Sequence, residues 1–136
     1  FPAHLTSGGL AMLADLERHE LEVLYDQSRW TAHSDELPNM LALRRQLALV
    51  RQQGFALNDG RTERGLFAVG RGVRTPSGRA EAALSIAMPS ARFSRTRLPQ
   101  LIHQLSGATA AIETSLSAFP AESVRTPAAS SKGAAI

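Results

Sequence analysis

The chain has 136 residues, of which 43% are hydrophobic and 20% are charged, and it contains no cysteine. This length and balance predict one globular domain, and the lack of cysteine excludes disulfides, thiolate metal sites and a cysteine nucleophile. The formal net charge is +3, but residues 61–97 carry eight arginines against two glutamates, whereas residues 1–60 have a balance of −3. A basic segment of this kind can meet phosphate, an acidic partner or only water.

No apolar run approaches the roughly 20 residues that cross a bilayer, so no membrane partner is expected. The first residues, from Phe1 to His4, lack the basic and apolar regions of a signal peptide. The absence of cysteine also fits a reducing compartment. We therefore expect a cytoplasmic protein.

Apolar residues recur every three or four positions in several segments, which predicts four helices. A short first helix over residues 7–14 is opened by two glycines, and Asp15 is the candidate cap of a second. The third covers residues 36–53 after Ser34 or Asp35 and ends at Gly54. The last starts at Ser94 or Thr96.

Between the third and fourth helices the period changes to that of strands. A short strand is predicted over residues 55–58, and a hairpin over residues 66–74 and 80–88. Pro76 and Gly78 supply the backbone angles that the connecting turn requires. These elements predict an α+β fold, an antiparallel sheet with helices packed on it.

The two faces of the hairpin differ in side-chain size. One face carries the bulky residues Phe67, Val69, Val73, Leu84, Ile86 and Met88, and the other carries only Ala68, Gly70, Gly72, Ala83, Ser85 and Ala87. We call the second set the small-residue face. Two interpretations stay open: a helix packs closely on it, or it leaves a ligand cavity with Ser85 as polar contact and the first helix as lid.

Sequence motifs for catalysis and for cofactor binding are missing. The histidines at positions 4, 19, 33 and 103 have no metal-ligand spacing, and there is no P-loop, dinucleotide fingerprint or nucleophile elbow. We therefore expect no enzymatic activity, no cofactor and no metal.

Several short motifs occur together in one order. They are His4-Leu5-Thr6-Ser7-Gly8-Gly9-Leu10-Ala11-Met12-Leu13, Gly54-Phe55-Ala56-Leu57-Asn58-Asp59, Gly65-Leu66-Phe67-Ala68-Val69, Gly78-Arg79 and Ala82-Ala83-Leu84-Ser85-Ile86-Ala87 with Pro89. In order and spacing they resemble the effector-binding domain of IclR-type transcriptional regulators over about residues 1–118.

The resemblance implies a GAF/profilin-like domain that binds a metabolite, often a short or aromatic carboxylate. The bound metabolite alters DNA binding by a separate winged helix-turn-helix domain. The ligand contacts that it implies are Ser7, Gly8, Asn58, Ala68, Ser85 and Ala87. Asn58 stands where the family usually has Asp, Ala68 where it has Cys, and Ala87 where Ser is common. These departures favour a larger, more apolar ligand, such as an aromatic acid, over glyoxylate.

The resemblance also sets the expected domain organisation. Residues 1–118 would be the C-terminal part of the effector domain, its sheet incomplete at the N-terminal side, and residues 119–136 a flexible tail. DNA would be bound only through a domain absent from this chain, and a homo-oligomer, a dimer or tetramer, is expected. Two alternatives remain: an oligomerisation module with a vestigial pocket, and direct nucleic-acid binding by residues 61–97.

Overall fold

The computed structural model describes residues 2–26, 28 and 37–118. The helices are α1 (Ser7–Leu13), α2 (Arg18–Leu24), α3 (Met40–Gln53) and α4 (Leu98–Ser117), and the strands are β1 (Ala56–Asp59), β2 (Leu66–Arg74) and β3 (Ala80–Pro89). The strands form an antiparallel sheet in the order β1-β2-β3. The expected α+β fold is confirmed. Residues 119–136, the predicted tail, lie outside the described residues.

The hairpin of β2 and β3 has the predicted position and turn. Gly78 has a φ of 85°, a left-handed conformation that favours glycine, and its N–H donates to the Thr75 carbonyl at 2.9 Å. Val69 pairs with Ile86, and Gly70 pairs with Ser85. This register sets large residues opposite large ones and small residues opposite small ones, so the bulky and small-residue faces run across both strands.

Helix α4 packs on the bulky face of the sheet. Phe67, Val69 and Leu105 are buried there, and the Phe67 and Phe93 rings stack with their centroids 3.6 Å apart. Burying apolar side chains of this size contributes about 1.5–3 kcal/mol each relative to leaving them exposed. No helix among the described residues is long and apolar enough to span a membrane.

The other helices lie on the opposite side of the sheet. Helix α1 packs against β2 and β3, and also against α3. The buried residues of this second core come from α1, α2, α3 and β1, and include Leu10, Leu13, Leu21, Leu47 and Ala56. The sheet is thus sandwiched between α4 on its bulky face and α1 on its small-residue face, where the first interpretation above expected a helix.

Three predicted helix starts were wrong. Helix α4 begins at Leu98, not at Ser94 or Thr96, because Arg95–Arg97 form a separate 3-10 turn and the Ser94 and Thr96 hydroxyls bond to each other at 3.0 Å. Helix α2 begins at Arg18, not after Asp15, because Asp15 is engaged elsewhere: its carboxylate accepts from the Ala80 N–H at 2.7 Å and from Arg74. Helix α3 begins at Met40, where the Asn39 side chain accepts from the Ala42 N–H at 3.1 Å. Pro38 disfavours helical angles at the residue before it, which explains the later start.

The predicted end of α3 is confirmed. Gly54 follows the helix with a φ of 85°, and its N–H donates to the Val50 carbonyl at 2.8 Å. The candidate caps Ser34 and Asp35 lie outside the described residues.

Candidate ligand-binding site

The first turn of α1 is held in place by a threonine cap. The Thr6 hydroxyl accepts from the Gly9 N–H at 3.0 Å, and the Thr6 carbonyl accepts from the Leu10 N–H at 3.0 Å. Ser7 and Gly8 lie in the first turn of α1. Their N–H groups have no intrahelical acceptor, because the carbonyl four positions earlier lies outside the helix. These two donors lie at the end of α1 that touches the sheet.

Glycine lets α1 approach the sheet closely. A Cβ atom at Gly70 would lie 2.5 Å from the Ser7 carbonyl carbon, and one at Gly8 would lie 3.2 Å from the Ser85 hydroxyl. The first of these contacts is closer than real Cβ atoms approach backbone, so only glycine fits at position 70 of β2. The first turn of α1 therefore lies directly against Gly70 and Ser85.

Two serine hydroxyls join α1 to β3. The Ser7 hydroxyl donates to the Ser85 oxygen at 3.1 Å. Ser7 is buried, whereas Ser85 is exposed. A hydroxyl is both a donor and an acceptor, so Ser85 can accept from Ser7 while its own proton points to a further acceptor.

The strand register brings the remaining predicted contacts into one row. Asn58 of β1 pairs with Ala68 of β2, and Ala68 pairs with Ala87 of β3. The next row on the same face contains Gly70 and Ser85, beneath Ser7 and Gly8. All six predicted contact residues thus lie at one face of the sheet. Helix α1 covers this face at Gly70, whereas Ser85 and Ala87 are exposed.

Asn58 differs from the others because its side chain is already fully bonded. It is buried, its Nδ2 group donates to the Leu5 carbonyl and to the Thr62 hydroxyl, and its Oδ1 atom accepts from the Arg61 N–H at 3.0 Å. Thr62 donates to the same Leu5 carbonyl. Asn58 thereby ties the segment before α1 to the loop after β1, and it positions the first turn of α1.

Sequence reasoning missed the residues that complete this arrangement. The sequence predicts Gly70 only as part of the small-residue face, and the contact that requires glycine there comes from α1, some sixty positions earlier in the chain. Thr62 lies in a polar loop segment and carries no pattern of its own. The dipeptide Asp59-Gly60, which favours a turn, is the sequence signal that the chain reverses near Thr62.

His4 and Tyr25 form a buried aromatic pair near the start of α1. The Tyr25 hydroxyl and His4 Nδ1 are 3.4 Å apart, and the two rings meet edge to face with centroids 5.6 Å apart. Burial raises the pKa of Tyr25, so the phenol stays protonated at neutral pH.

Only one group of possible metal ligands occurs among residues 2–26, 28 and 37–118, namely Glu17, His19 and Glu20. Glu17 and His19 are exposed, and Glu20 is half-buried. Glu20 is moreover engaged, since its carboxylate accepts from Arg79 at 2.8 Å and from the Glu17 N–H at 3.2 Å. We assign no metal to this group.

Comparison with known proteins agrees with the fold and with the motifs. Residues 1–114 match the family model described as bacterial transcriptional regulator IclR C-terminal. The chain belongs to the IclR family. It is 31% identical over 121 residues to the HTH-type transcriptional regulator XynR of Escherichia coli, a match that covers 88% of this chain and 48% of that protein. It is 32% identical over 91 residues to a probable regulator, ArcR, of Halobacterium salinarum, covering 66% of this chain and 35% of the relative.

Solved structures of IclR-family regulators have the same fold. The Agrobacterium tumefaciens repressor BlcR superposes with a TM-score of 0.75 at 29% identity, over 85% of this chain and 48% of BlcR. The inducer-binding domain of PobR from Acinetobacter, a double mutant in complex with 3-hydroxybenzoic acid, gives a TM-score of 0.66 at 26% identity, over 83% and 66% of the two chains. The expected family is confirmed, and the relatives are transcriptional regulators rather than enzymes. The chain spans about a third to a half of the length of the curated relatives.

Proposed function

We propose that this IclR-type domain binds a small carboxylate, an aromatic acid in particular, on its small-residue face. Binding there would modulate DNA binding by a separate winged helix-turn-helix domain. The observation that carries the proposal is the convergence of Ser7, Gly8, Ala68, Ser85 and Ala87 on one face, at the end of α1 that has unpaired N–H groups. The PobR domain in complex with 3-hydroxybenzoic acid supports the class of ligand.

Each residue has a defined part in this proposal. The N–H groups of Ser7 and Gly8 would donate to the carboxylate, which the positive end of α1 also stabilises. The Ser85 hydroxyl would donate to the same group or to a ring substituent. Ala68 and Ala87 would form apolar walls and leave room for an aromatic ring. Asn58 would act indirectly, because its bonds to Leu5 and Thr62 hold the segment that leads into α1.

Binding is tested by a thermal-shift screen with aromatic and short-chain carboxylates. A ligand at about 100 times its Kd adds roughly 2.7 kcal/mol to the free energy of unfolding, which is a clear rise in Tm. We expect 3-hydroxybenzoate or a related aromatic acid to raise the Tm more than glyoxylate does.

The site is tested by the substitution Ser85→Leu. The larger side chain would fill the exposed end of the face and remove the hydroxyl, so the ligand-induced rise in Tm should disappear while the ligand-free Tm changes little. Ser117→Leu at the exposed end of α4 makes the same chemical change outside the face and should leave binding intact. Unchanged affinity in Ser85→Leu would place the site elsewhere.

One observation favours a second function, an oligomerisation module with a vestigial pocket. Helix α1 lies so close to Gly70 that this end of the small-residue face is closed, and β1 and β3 each have an unpaired edge among the described strands that could pair with another copy. If no carboxylate raises the Tm while light scattering shows a stable dimer or tetramer, the second function replaces the first.

A further inference from the structure

A cavity lies away from the proposed ligand contacts, between the segment that joins α1 to α2, helix α3 and the hairpin turn. Its volume is about 460 Å³. Its walls carry five arginines: Arg18, Arg44, Arg51, Arg74 and Arg79. Its apolar lining comes from Ala14, Leu16, Leu21 and Leu47. We call it the arginine cleft.

Four of the five arginines of the arginine cleft are paired with carboxylates. Asp15 pairs with Arg74 at 2.8 Å, Glu20 pairs with Arg79 at 2.8 Å, and Glu22 is shared between Arg18 at 3.0 Å and Arg44 at 3.1 Å. Two further carboxylates act on these arginines: Glu113 accepts from the Arg74 N–H at 2.9 Å, and the charge of Glu17 acts on Arg79. Arg51 is the arginine of the cleft that has no carboxylate partner among the described residues.

Two of the arginines have donors to spare. Arg51 makes no ion pair within the described part of the chain, and its Nη1 group donates to the Ala14 carbonyl at 3.2 Å. The Nε atom of Arg44 is buried and has no hydrogen-bond partner among the described residues. An unpaired buried donor is costly, and a guanidinium is suited to paired hydrogen bonds with carboxylate or phosphate oxygens.

The two arginines lie on one face of α3. Arg44, Leu47 and Arg51 are spaced by three and four residues, so they share a face, and Leu47 between them is fully buried. Their Cα atoms are about 10 Å apart at 1.5 Å per residue. A neighbouring cavity of about 400 Å³ is also lined by Arg51 and Arg74, so Arg51 faces both spaces.

We propose that the arginine cleft binds a small organic dianion, with its anionic groups on Arg44 and Arg51 and its carbon skeleton against the apolar lining of the cleft. The two guanidinium groups with spare donors set the number of anionic groups on the ligand, and their geometry sets the chemistry of those groups as carboxylate or phosphate. This site is independent of the small-residue face, since the two share no residue.

The test is calorimetric titration of the protein with adipate and with inorganic phosphate at constant chloride ionic strength. We expect saturable binding with one site per chain, weakened about tenfold or more by Arg51→Gln because a charge-assisted hydrogen bond is lost. Arg64→Gln removes the same charge from an exposed loop position outside the cleft and should change affinity less than about twofold. Ser85→Leu should also leave it unchanged, which separates this site from the one proposed above.

The two probes identify the ligand class. Binding of adipate alone assigns a dicarboxylate, and binding of phosphate alone assigns a phosphate ester. If neither probe binds saturably, or if Arg64→Gln weakens binding as much as Arg51→Gln does, the proposal is wrong. Should Arg51→Gln fail to fold, the side-chain Nε–H signals of Arg44 and Arg51 are followed by NMR in the unmodified protein. They must shift during the titration, and fixed signals would overturn the proposal.

Discussion

The role proposed for Asn58 is to position the binding site without facing the ligand. Its side-chain amide bonds to three partners: the Leu5 carbonyl in the segment before α1, and the Arg61 N–H and the Thr62 hydroxyl in the loop after β1. The family resemblance implied a ligand contact at this position. The bonding supports a positioning role, because an amide that is buried and fully bonded has no donor left to offer.

Replacing Asn58 with alanine should destabilise the fold. The Arg61 N–H loses its acceptor and the Leu5 carbonyl keeps only the Thr62 hydroxyl, so we expect a loss of about 1–3 kcal/mol, near the upper end, in urea denaturation. Asn39→Ala is the matched control, because Asn39 makes a single capping bond to the Ala42 N–H. Removing such a cap costs about 1 kcal/mol. If Asn58→Ala costs no more than Asn39→Ala, the positioning role is refuted.

At the scale of elements, the sequence predicted those whose signals are local. The hairpin has its own turn, with Pro76 and Gly78, and its alternation fixes both faces. The start of α2 was missed because Asp15 binds Arg74 and the Ala80 N–H, which are more than fifty positions away. A cap candidate and a long-range ion-pair partner look the same in sequence. Only packing decides between them.

Two glycines should respond to alanine with opposite signs. Gly107 lies exposed within α4 and has nothing within 4 Å of the position of a Cβ atom, so Gly107→Ala should stabilise the protein by about 0.5–1 kcal/mol. Gly70→Ala would push a Cβ atom to 2.5 Å from the Ser7 carbonyl carbon. This overpacking should cost about 1–3 kcal/mol and displace α1. Urea denaturation measures both, and a stabilising Gly70→Ala would contradict the close approach of α1.

At the scale of the whole molecule, the sheet organises the candidate sites. Its small-residue face carries α1 and the predicted ligand contacts, while the arginine cleft opens where α2, α3 and the hairpin turn meet. The sequence could indicate the first, because the alternation lies within two adjacent strands. It could not indicate the second: the basic balance of residues 61–97 is visible, but the meeting of Arg74 and Arg79 with Arg44 and Arg51 depends on tertiary packing.

Ion pairs around the cleft should make the stability of the whole fold fall at acid pH. Hydrogen bonding to Arg79, and then to the Glu17 N–H, lowers the pKa of Glu20 below its ordinary value of 4.5, and the Arg18 contact lowers the pKa of Glu22 in the same way. The unfolded chain therefore takes up these protons at a higher pH than the folded chain does. The stabilisation is complete above the ordinary pKa and is lost as the pH falls through the folded value.

Glu20→Gln isolates this effect, because glutamine at that position can still accept from the Glu17 N–H in a capping box while the charge is gone. We expect the variant to have a lower Tm than the unmodified protein at pH 7 and a smaller decline in Tm on acidification. The Tm difference between the two proteins should disappear well below pH 4.5. Glu63→Gln, an exposed glutamate without an ion pair among the described residues, controls for net charge. Tm measured from pH 7 to 3 decides the matter: a difference that persists unchanged at low pH would mean that the Glu20 carboxylate does not stabilise the fold through Arg79.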